Sequence, residues 1–341
     1  MSELLPLARV EGYLRGRIPG LSQVREARKT TTGQSNPTFI LETDAGPLVL
    51  RRKPPGRLLK SAHAVEREYR VLRALADSPV PVPRVHLLCE EPDVLGVPFF
   101  VMDFAPGRTE NDPRCPDLDI SRRTALYDDM NRVLAALHSI NPAACGLADF
   151  GRSGAYFARQ LARWSGQYRA SETQPVAAME TLMDWLTAHL PPEEESGSLV
   201  HGDWRLDNLL FAPDTGRITA VLDWELSTLG NPLADLGAQL MQWQMPVGPE
   251  GRGLEDVDRA ALGLPDDRAY LETYAKRAGL TQVPDMRFPV AFAFFRMAAI
   301  LQGVYRRALD GNASNPERGM RFGAYIPVFA QKALDWVSAE S

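Results

Sequence analysis

The chain has 341 residues, more than one hydrophobic core usually serves, so two lobes are expected. Its net charge of −5 argues against a nucleic acid as partner. The three cysteines are widely spaced and form no CxxC or Cys/His cluster. Neither a zinc site nor a disulfide framework is therefore indicated, and a reducing cytoplasm fits best.

Neither a signal peptide nor a membrane span is predicted. The N-terminus has no basic segment followed by a long apolar run. The most apolar tract, residues 288–301, is interrupted by Arg296 and is too short to span a membrane. We expect it to be a buried helix.

The first hundred residues have the pattern of a small sheet with accompanying helices. Apolar residues at helical spacing predict helices at residues 4–17 and 62–76. Strand-like runs bounded by proline and glycine turns are found at residues 39–43, 48–53, 85–89 and 98–104. The break at residues 105–107 is the expected boundary between the two lobes.

A loop of small polar residues, 30–38, precedes the first of these strands. Gly33 lacks a Cβ and Ser35 adds a hydroxyl, so backbone N–H groups here can come close to phosphate oxygens. The same residue types also form ordinary turns, so this loop alone does not establish a phosphate site.

Two cations and two glutamates follow the loop. Arg51 and Lys53 lie two positions apart on a predicted strand, so they project from the same face. On the next helix, Glu68 lies about 60° from the centre of the apolar stripe and Glu66 about 100° from it. Glu68 is nearer the core and is the better partner for a phosphate-binding cation. The pattern does not choose between Arg51 and Lys53 as that cation.

Beyond residue 107 the periodicity becomes helical. Ser121 is the expected N-cap of a helix that Pro142 ends. Further helices are predicted at residues 156–169, 176–190, 232–243, 266–278, 287–309 and 316–336. The second part of the chain is therefore expected to be mainly helical.

A β-hairpin is predicted by two strand-like runs, 209–211 and 218–222, joined by turn residues. In an antiparallel pair the start of one strand lies beside the end of the next, so Asn208 and Asp223 should be neighbours. Asp203 lies on the preceding loop. Two oxygen ligands suit Mg²⁺, and a third carboxylate is placed to accept a hydroxyl proton. This arrangement is typical of a kinase-type phosphoryl-transfer site.

The motif His201-Gly202-Asp203 with Asn208, followed by Asp223-Trp224-Glu225, resembles the aminoglycoside phosphotransferase (APH) family and its relatives, the choline and fructosamine kinases. It is also similar to a subgroup related to the kinase-like domain of some acyl-CoA dehydrogenase fusion proteins. The resemblance implies an α+β, bilobal protein-kinase-like fold. Residues 1–105 would form a small antiparallel-sheet N-lobe that binds nucleotide, and residues 106–341 a larger, mainly helical, catalytic and acceptor-binding C-lobe.

The resemblance also implies ATP and Mg²⁺ as cofactors. It makes Asp203 the catalytic base and Asn208 and Asp223 the metal ligands. His201 resembles the structural histidine of the kinase H-x-D loop, and Asp235 resembles the aspartate that orients that loop.

Nucleotide-binding residues follow from the same alignment. The loop with Gly33 and Ser35 would cover the phosphates. Arg51 aligns with the family's phosphate-binding lysine, and Lys53 is the competing choice. Glu68 aligns with the second glutamate of a V-E-R-E motif and would pair with that cation. The hinge strand that binds adenine would consist of Met102, Asp103, Phe104 and Ala105.

Two acidic residues near the motif have several possible roles. Asp207 is expected to hydrogen-bond the loop, with a supplementary role at the metal as the alternative. Glu225 stands where protein kinases have glycine. It could bind a second metal indirectly, touch the substrate or pair with a cation.

The sequence thus predicts an ATP-dependent kinase that transfers the γ-phosphate to a hydroxyl of a small molecule. The subgroup resemblance points to a hydroxyacyl or other metabolic hydroxyl rather than an aminoglycoside. Two alternatives stay open: a nucleotide-binding pseudokinase without turnover, and a non-catalytic interaction protein. The oligomeric state is not indicated.

Overall fold

The computed structural model describes residues 5–30, 36–54, 63–152, 154–192, 197–248, 252–313 and 315–339. The predicted phosphate-loop residues Gly33 and Ser35 lie outside these ranges. An N-terminal antiparallel sheet is followed by a mainly helical region, which confirms the mixed α+β class.

Five antiparallel strands form the N-terminal sheet, in the spatial order β1-β2-β3-β5-β4. Their bounds are β1 Val24–Lys29, β2 Thr38–Thr43, β3 Gly46–Arg52, β4 Val85–Cys89 and β5 Phe99–Asp103. The accompanying helices are α1 Leu7–Leu14, α2 Val65–Ala74 and the short α3 Pro92–Leu95. Side chains alternate between the two faces of the sheet. Phe39 and Leu50 therefore pack with α1 in a small core, while Val49 and Phe100 join α2 in the large core.

Strand β1 is missing from the sequence-based prediction. Four of its six residues are charged, and Val24 is its one buried residue. An edge strand of this kind has little apolar alternation for a pattern to detect. Its presence matters for the site because β1 and β2 are joined by residues 30–37, which belong to the polar loop.

Two pairs of short strands frame the predicted catalytic loop. Strand β7, Leu209–Phe211, pairs antiparallel with β8, Ile218–Val221, which confirms the predicted hairpin. Strand β6, Ser198–Val200, pairs antiparallel with β9, Thr228–Gly230. The β6–β9 pair was not predicted, because three-residue strands are too short to show a period. The catalytic loop runs between β6 and β7.

The helical region is organised around α10, Arg287–Leu309, which packs against helices α5, α7 and α12. The other helices are α4 Ile120–His138, α5 Tyr156–Ser171, α6 Ala177–Ala188, α7 Leu233–Trp243, α8 Arg259–Leu262, α9 Asp267–Arg277, α11 Pro316–Arg321 and α12 Tyr325–Ser338. Within the described ranges, α10 alone is long and apolar enough to cross a membrane by length and composition. Because 61% of its apolar window is buried inside the protein, α10 is a core helix, as predicted.

The N-cap of α4 differs from the prediction. Asp119, rather than Ser121, caps the helix, and its side chain accepts a hydrogen bond from the Arg122 amide at 2.8 Å. Aspartate and serine are both good caps, so the sequence pattern could not choose between them.

The sequence predicts one continuous helix at residues 316–336, and this prediction is wrong. A 3₁₀ turn, Phe322–Ala324, separates α11 from α12. Pro327 explains the break, because it has no N–H and its ring excludes the α-helical carbonyl of Gly323, four residues earlier. The C-terminal segment therefore packs on α10 as two helices.

Candidate active site

A buried carboxylate holds the backbone of the catalytic loop. Asp235, on α7, accepts hydrogen bonds from the backbone N–H groups of His201 at 2.7 Å and Gly202 at 2.8 Å. His201 is fully buried, and its Nε2 lies 2.9 Å from the Leu222 carbonyl oxygen. Burial disfavours the charge on Asp235, but His138 and the loop amides outweigh it and lower the pKa of this carboxyl. The predicted orienting role of Asp235 and bracing role of His201 are confirmed.

Asp203 follows a turn that requires glycine. Gly202 has a φ of 81°, and a Cβ there would lie 2.5 Å from the Leu226 carbonyl oxygen. The Asp203 side chain is 31% exposed, and its Oδ1 lies 3.1 Å from Arg205 Nε. Its Oδ2 accepts a hydrogen bond from Asn208 Nδ2 at 3.0 Å. The carboxylate is thus oriented from two sides and stays partly exposed.

Asn208 and Asp223 come together at one end of the hairpin. The Leu222 N–H donates to the Asn208 carbonyl oxygen at 2.8 Å. Because Asn208 Nδ2 is committed to Asp203, its amide oxygen is the atom left to bind a cation. Asp223 has a φ of 61°, in the left-handed region, and its side chain is 31% exposed. These two oxygen donors fit Mg²⁺, which fills the rest of its shell with phosphate and water.

Arg51 connects the N-terminal sheet to this end of the hairpin. Its Nε lies 2.8 Å from Glu68 Oε2, and its Nη2 donates to Asp223 Oδ1 at 2.7 Å. Burial raises the pKa of Glu68 to about 7, against the attraction of Arg51. Lys53 instead pairs with Glu66 at 2.7 Å. The predicted ion pair of Glu68 is therefore present, and its cation is Arg51.

The residues predicted to bind adenine lie at the end of β5. Met102 is buried, whereas Phe104 is 40% exposed. The Asp103 N–H donates to the Arg84 carbonyl oxygen at 2.9 Å, and its Oδ1 lies 2.6 Å from His86 Nε2. An exposed aromatic residue directly after the strand is compatible with a flat ligand, and the adenine role stays a prediction.

Asp207 makes ion pairs with arginine side chains. Its Oδ2 lies 2.9 Å from Arg252 Nη1 and 3.5 Å from Arg205 Nη2. Asp207 thus contacts the loop, as expected, although through an ion pair with Arg205, and Arg252 reaches it from the segment after α7. The sequence could not show that approach, since Arg252 is 45 positions away.

Three residues at the site received no role from the sequence: Asn36, Arg205 and Arg296. Asn36 is fully buried and donates to Glu68 Oε1 at 2.7 Å. Arg296, on α10, donates to the Gly202 carbonyl oxygen at 3.0 Å. The sequence does show that Arg296 is a single arginine inside an apolar tract. This pattern does not reveal which element Arg296 contacts.

Comparison with known proteins identifies the family of this chain. The model of APH, the phosphotransferase enzyme family, matches residues 26–280. The chain belongs to the APH family. This APH-family chain is 42% identical to a presumed aminoglycoside phosphotransferase from Ralstonia eutropha JMP134, and the two structures match with a TM-score of 0.88 over 97% of both chains.

A more distant structure shows the same fold. It is a thermostable mutant of aminoglycoside phosphotransferase APH(4)-Ia in ternary complex with ADP and hygromycin B. The match has a TM-score of 0.63 at 17% identity and covers 97% of this chain and 99% of that one. The predicted bilobal kinase-like fold is therefore confirmed.

Curated relatives of the APH-family chain are larger proteins. Mouse acyl-CoA dehydrogenase family member 10 is 44% identical over 98% of this chain, which corresponds to 31% of the relative. Human acyl-CoA dehydrogenase family member 11 is 37% identical over 98% of this chain and 44% of the relative. The chain thus spans less than half the length of these relatives, and the predicted resemblance to acyl-CoA dehydrogenase fusion proteins is confirmed.

Proposed function

We propose that this APH-family chain is an ATP-dependent kinase that transfers the γ-phosphoryl group to a hydroxyl of a small molecule. One observation carries the proposal. Arg51 of the N-terminal sheet reaches Asp223 at the end of the hairpin that also carries Asn208. A phosphate-binding cation and the expected metal ligands therefore meet beside Asp203.

Mg²⁺ is the metal that this donor set suits, with Asn208 and Asp223 as its protein ligands. Glu68, Asp223 and Glu225 all interact electrostatically with Arg51, so three carboxylates face one cation. This excess of negative charge suits a divalent ion. When bound, the ion neutralises charge on the phosphates.

The protein side chains have separate tasks in the transfer. Arg51, held by Glu68, orients the phosphates. Asp203 accepts the proton of the acceptor hydroxyl while that oxygen bonds to the γ-phosphorus and the bond from phosphorus to the ADP oxygen breaks. Because a loose transition state needs little base strength, alignment contributes more than proton removal.

The nucleotide would lie between an N-lobe of residues 1–105 and a C-lobe of residues 106–341. Adenine would contact the backbone of residues 102–105, and the loop with Gly33 and Ser35 would cover the phosphates. The APH(4)-Ia complex with ADP supports a nucleotide in this fold.

The acceptor is proposed to be a hydroxyacyl or other metabolic hydroxyl compound. Arg205 lies 3.1 Å from Asp203 Oδ1, and Arg296 donates a hydrogen bond to the carbonyl oxygen of Gly202. Because Arg205 already pairs with the base, Asp203 is not a free carboxylate of the kind that a polycation such as an aminoglycoside would need. The names of the acyl-CoA dehydrogenase relatives also favour an acyl compound.

Thermal shift and ATP consumption with Mg-ATP test this function. The acceptor panel should contain aminoglycosides, choline-like alcohols, sugars and hydroxyacyl-CoA compounds. Asp223→Ala should abolish the metal-dependent stabilisation and lower turnover by about 10²–10³-fold, because a preorganised charge at the phosphates is lost. Asp214→Ala is the matched control, since Asp214 is an exposed carboxylate on the turn of the same hairpin.

The outcomes separate the alternatives. ATP consumption stimulated by one acceptor class establishes the kinase and its substrate class. Nucleotide binding without turnover across the panel would favour a pseudokinase. If Mg-ATP stabilises neither wild type nor control, the kinase proposal fails and a non-catalytic interaction protein is left.

A further inference from the structure

Asn36 is a buried polar residue that the proposed reaction does not use. It lies in the polar loop, two residues before β2, and has no exposed surface. Its Nδ2 donates to Glu68 Oε1 at 2.7 Å and lies 3.5 Å from Glu225 Oε2. One amide group thus contacts a carboxylate on α2 and a carboxylate on the turn after β8.

The two carboxylates determine the orientation of this amide. Asn36 Oδ1 is buried and has no hydrogen-bond partner within the described part of the chain. Turning the amide over would place that oxygen against Glu68 and Glu225, where it would be repelled. A buried polar atom without a partner is unfavourable, so the contacts of Nδ2 outweigh that cost.

Glu68 and Glu225 are both acidic, both contact the Asn36 amide and both attract Arg51. Without a donor between them, repulsion would drive the two carboxylates apart and loosen their hold on the guanidinium. The Asn36 amide supplies the positive edge of a dipole and adds no net charge. Arg51 is then held by Glu68 from α2 and by Asp223 from the hairpin.

We infer that Asn36 is a positioning residue of the phosphate site, whose amide fixes the Glu68 and Glu225 carboxylates and thereby the Arg51 guanidinium. The inference rests on the proposed function in one respect, that Arg51 is the phosphate-binding cation. Of the roles that the sequence leaves open for Glu225, the inference favours the electrostatic one, because Glu225 attracts Arg51 and contacts the Asn36 amide.

Calorimetric titration with Mg-ADP tests the inference without requiring turnover. Asn36→Asp adds a carboxylate beside two others and should weaken binding about 100-fold. Adding Glu225→Gln removes one repelling charge and should restore affinity about tenfold. Asn36→Ala removes the donor without adding charge and should weaken binding about tenfold. It keeps the test valid if Asn36→Asp does not fold.

Asn131 offers a matched control on α4. It is 1% exposed, and its Nδ2 donates to the Tyr270 carbonyl oxygen on α9 rather than to the site. Its Oδ1 accepts from Arg277 Nη1 at 3.0 Å, so the carboxylate of Asn131→Asp would have a cation partner away from the site. Asn131→Asp should therefore leave Mg-ADP affinity unchanged, and adding Glu225→Gln should give no rescue. Charge rescue at Asn36 but not at Asn131 is the signature of positioning, because a merely structural asparagine would not respond to Glu225.

Two results would overturn the inference. If folded Asn36→Asp and Asn36→Ala bind Mg-ADP as wild type does, or if Glu225→Gln gives no rescue, Asn36 is not a positioning residue and the kinase proposal stands. If wild type itself binds no Mg-ADP, the inference fails together with the proposed function.

Discussion

Two cation–glutamate pairs connect the end of β3 to α2. The Arg51–Glu68 pair measures 2.8 Å and the Lys53–Glu66 pair 2.7 Å. The first pair has side chains that are 10% and 3% exposed, and the second 21% and 37%. Arg51 also reaches Asp223. Distance alone therefore does not distinguish these pairs; burial and a further partner across the site do.

Burial determines how much the loss of each ion pair should cost in stability. An exposed ion pair contributes about 0–1 kcal/mol, because water screens it and holding two long side chains costs entropy. Removing one member of a buried pair costs about 3–5 kcal/mol, because the other charge is left in a medium that solvates it poorly. Substitutions in each pair should therefore separate a site residue from a surface residue.

The largest effect is expected for Arg51→Ala. Catalytic efficiency for ATP should fall by about 10²–10³-fold, because an oriented charge at the phosphates is lost. The free energy of unfolding should fall by up to about 3–5 kcal/mol above pH 7, since Glu68 is left buried without its cation, and by less below pH 7, where Glu68 is protonated. Steady-state kinetics and urea unfolding measure the two quantities. Near-normal activity in a folded variant would show that another cation, such as Lys53, contacts the phosphates.

An intermediate effect is expected from pH, through Glu68. Burial raises the pKa of Glu68 to about 7, so the carboxylate that holds Arg51 is formed above this pH and lost below it. We expect kcat/KM for ATP to fall about tenfold per unit below pH 7. Glu68→Gln should give low activity with no acid limb from this group. A wild-type profile that stays flat down to pH 5 would contradict the assignment.

Stability should show the opposite trend with pH. The pKa of Glu68 lies above its ordinary value of 4.5, so between these values the folded state binds more protons than the unfolded state. The contribution of Glu68 to the free energy of unfolding is full below pH 4.5 and is lost as pH rises through about 7. Comparing the melting temperatures of wild type and Glu68→Gln at pH 5.5 and 8.5 isolates this contribution.

The smallest effect is expected for Lys53→Ala. Its pair with Glu66 is partly exposed, so the free energy of unfolding should change by no more than about 1 kcal/mol. Catalytic efficiency should stay within about threefold of wild type, on the same reasoning. The kinetic assay used for Arg51→Ala applies here. A tenfold loss of catalytic efficiency would indicate that Lys53, rather than Arg51, binds the phosphates.

For the buried pair, the sequence predicted the glutamate but not its cation. Helix geometry ties the position of Glu68 to the direction of its side chain, so its ion pair could be expected. The choice between Arg51 and Lys53 could not be made, because both project alike from an ideal strand. That choice depends on Asp223, which is 172 positions from Arg51.

Local signals explain the remaining successes and failures. The hairpin and the long helices were predictable because their patterns lie within a few residues. Strand β1 was not, because its charges hide the period of an edge strand. Asn36 was not identified because its two carboxylate partners are 32 and 189 positions away. A residue such as Asn36, whose role depends on partners far away in the sequence, shows no local pattern by which it could be identified.

The long sequence separation between Arg51 and Asp223 has a consequence for synthesis of the protein. A nascent chain that ends after α6 contains β3 and α2 but not the hairpin, so the cation lacks its second carboxylate. Contacts of such high contact order form late. Nucleotide would find no complete site until the hairpin has emerged and folded. Once bound, it would favour the folded state of both parts of the chain together, so the loaded protein should unfold in one cooperative step.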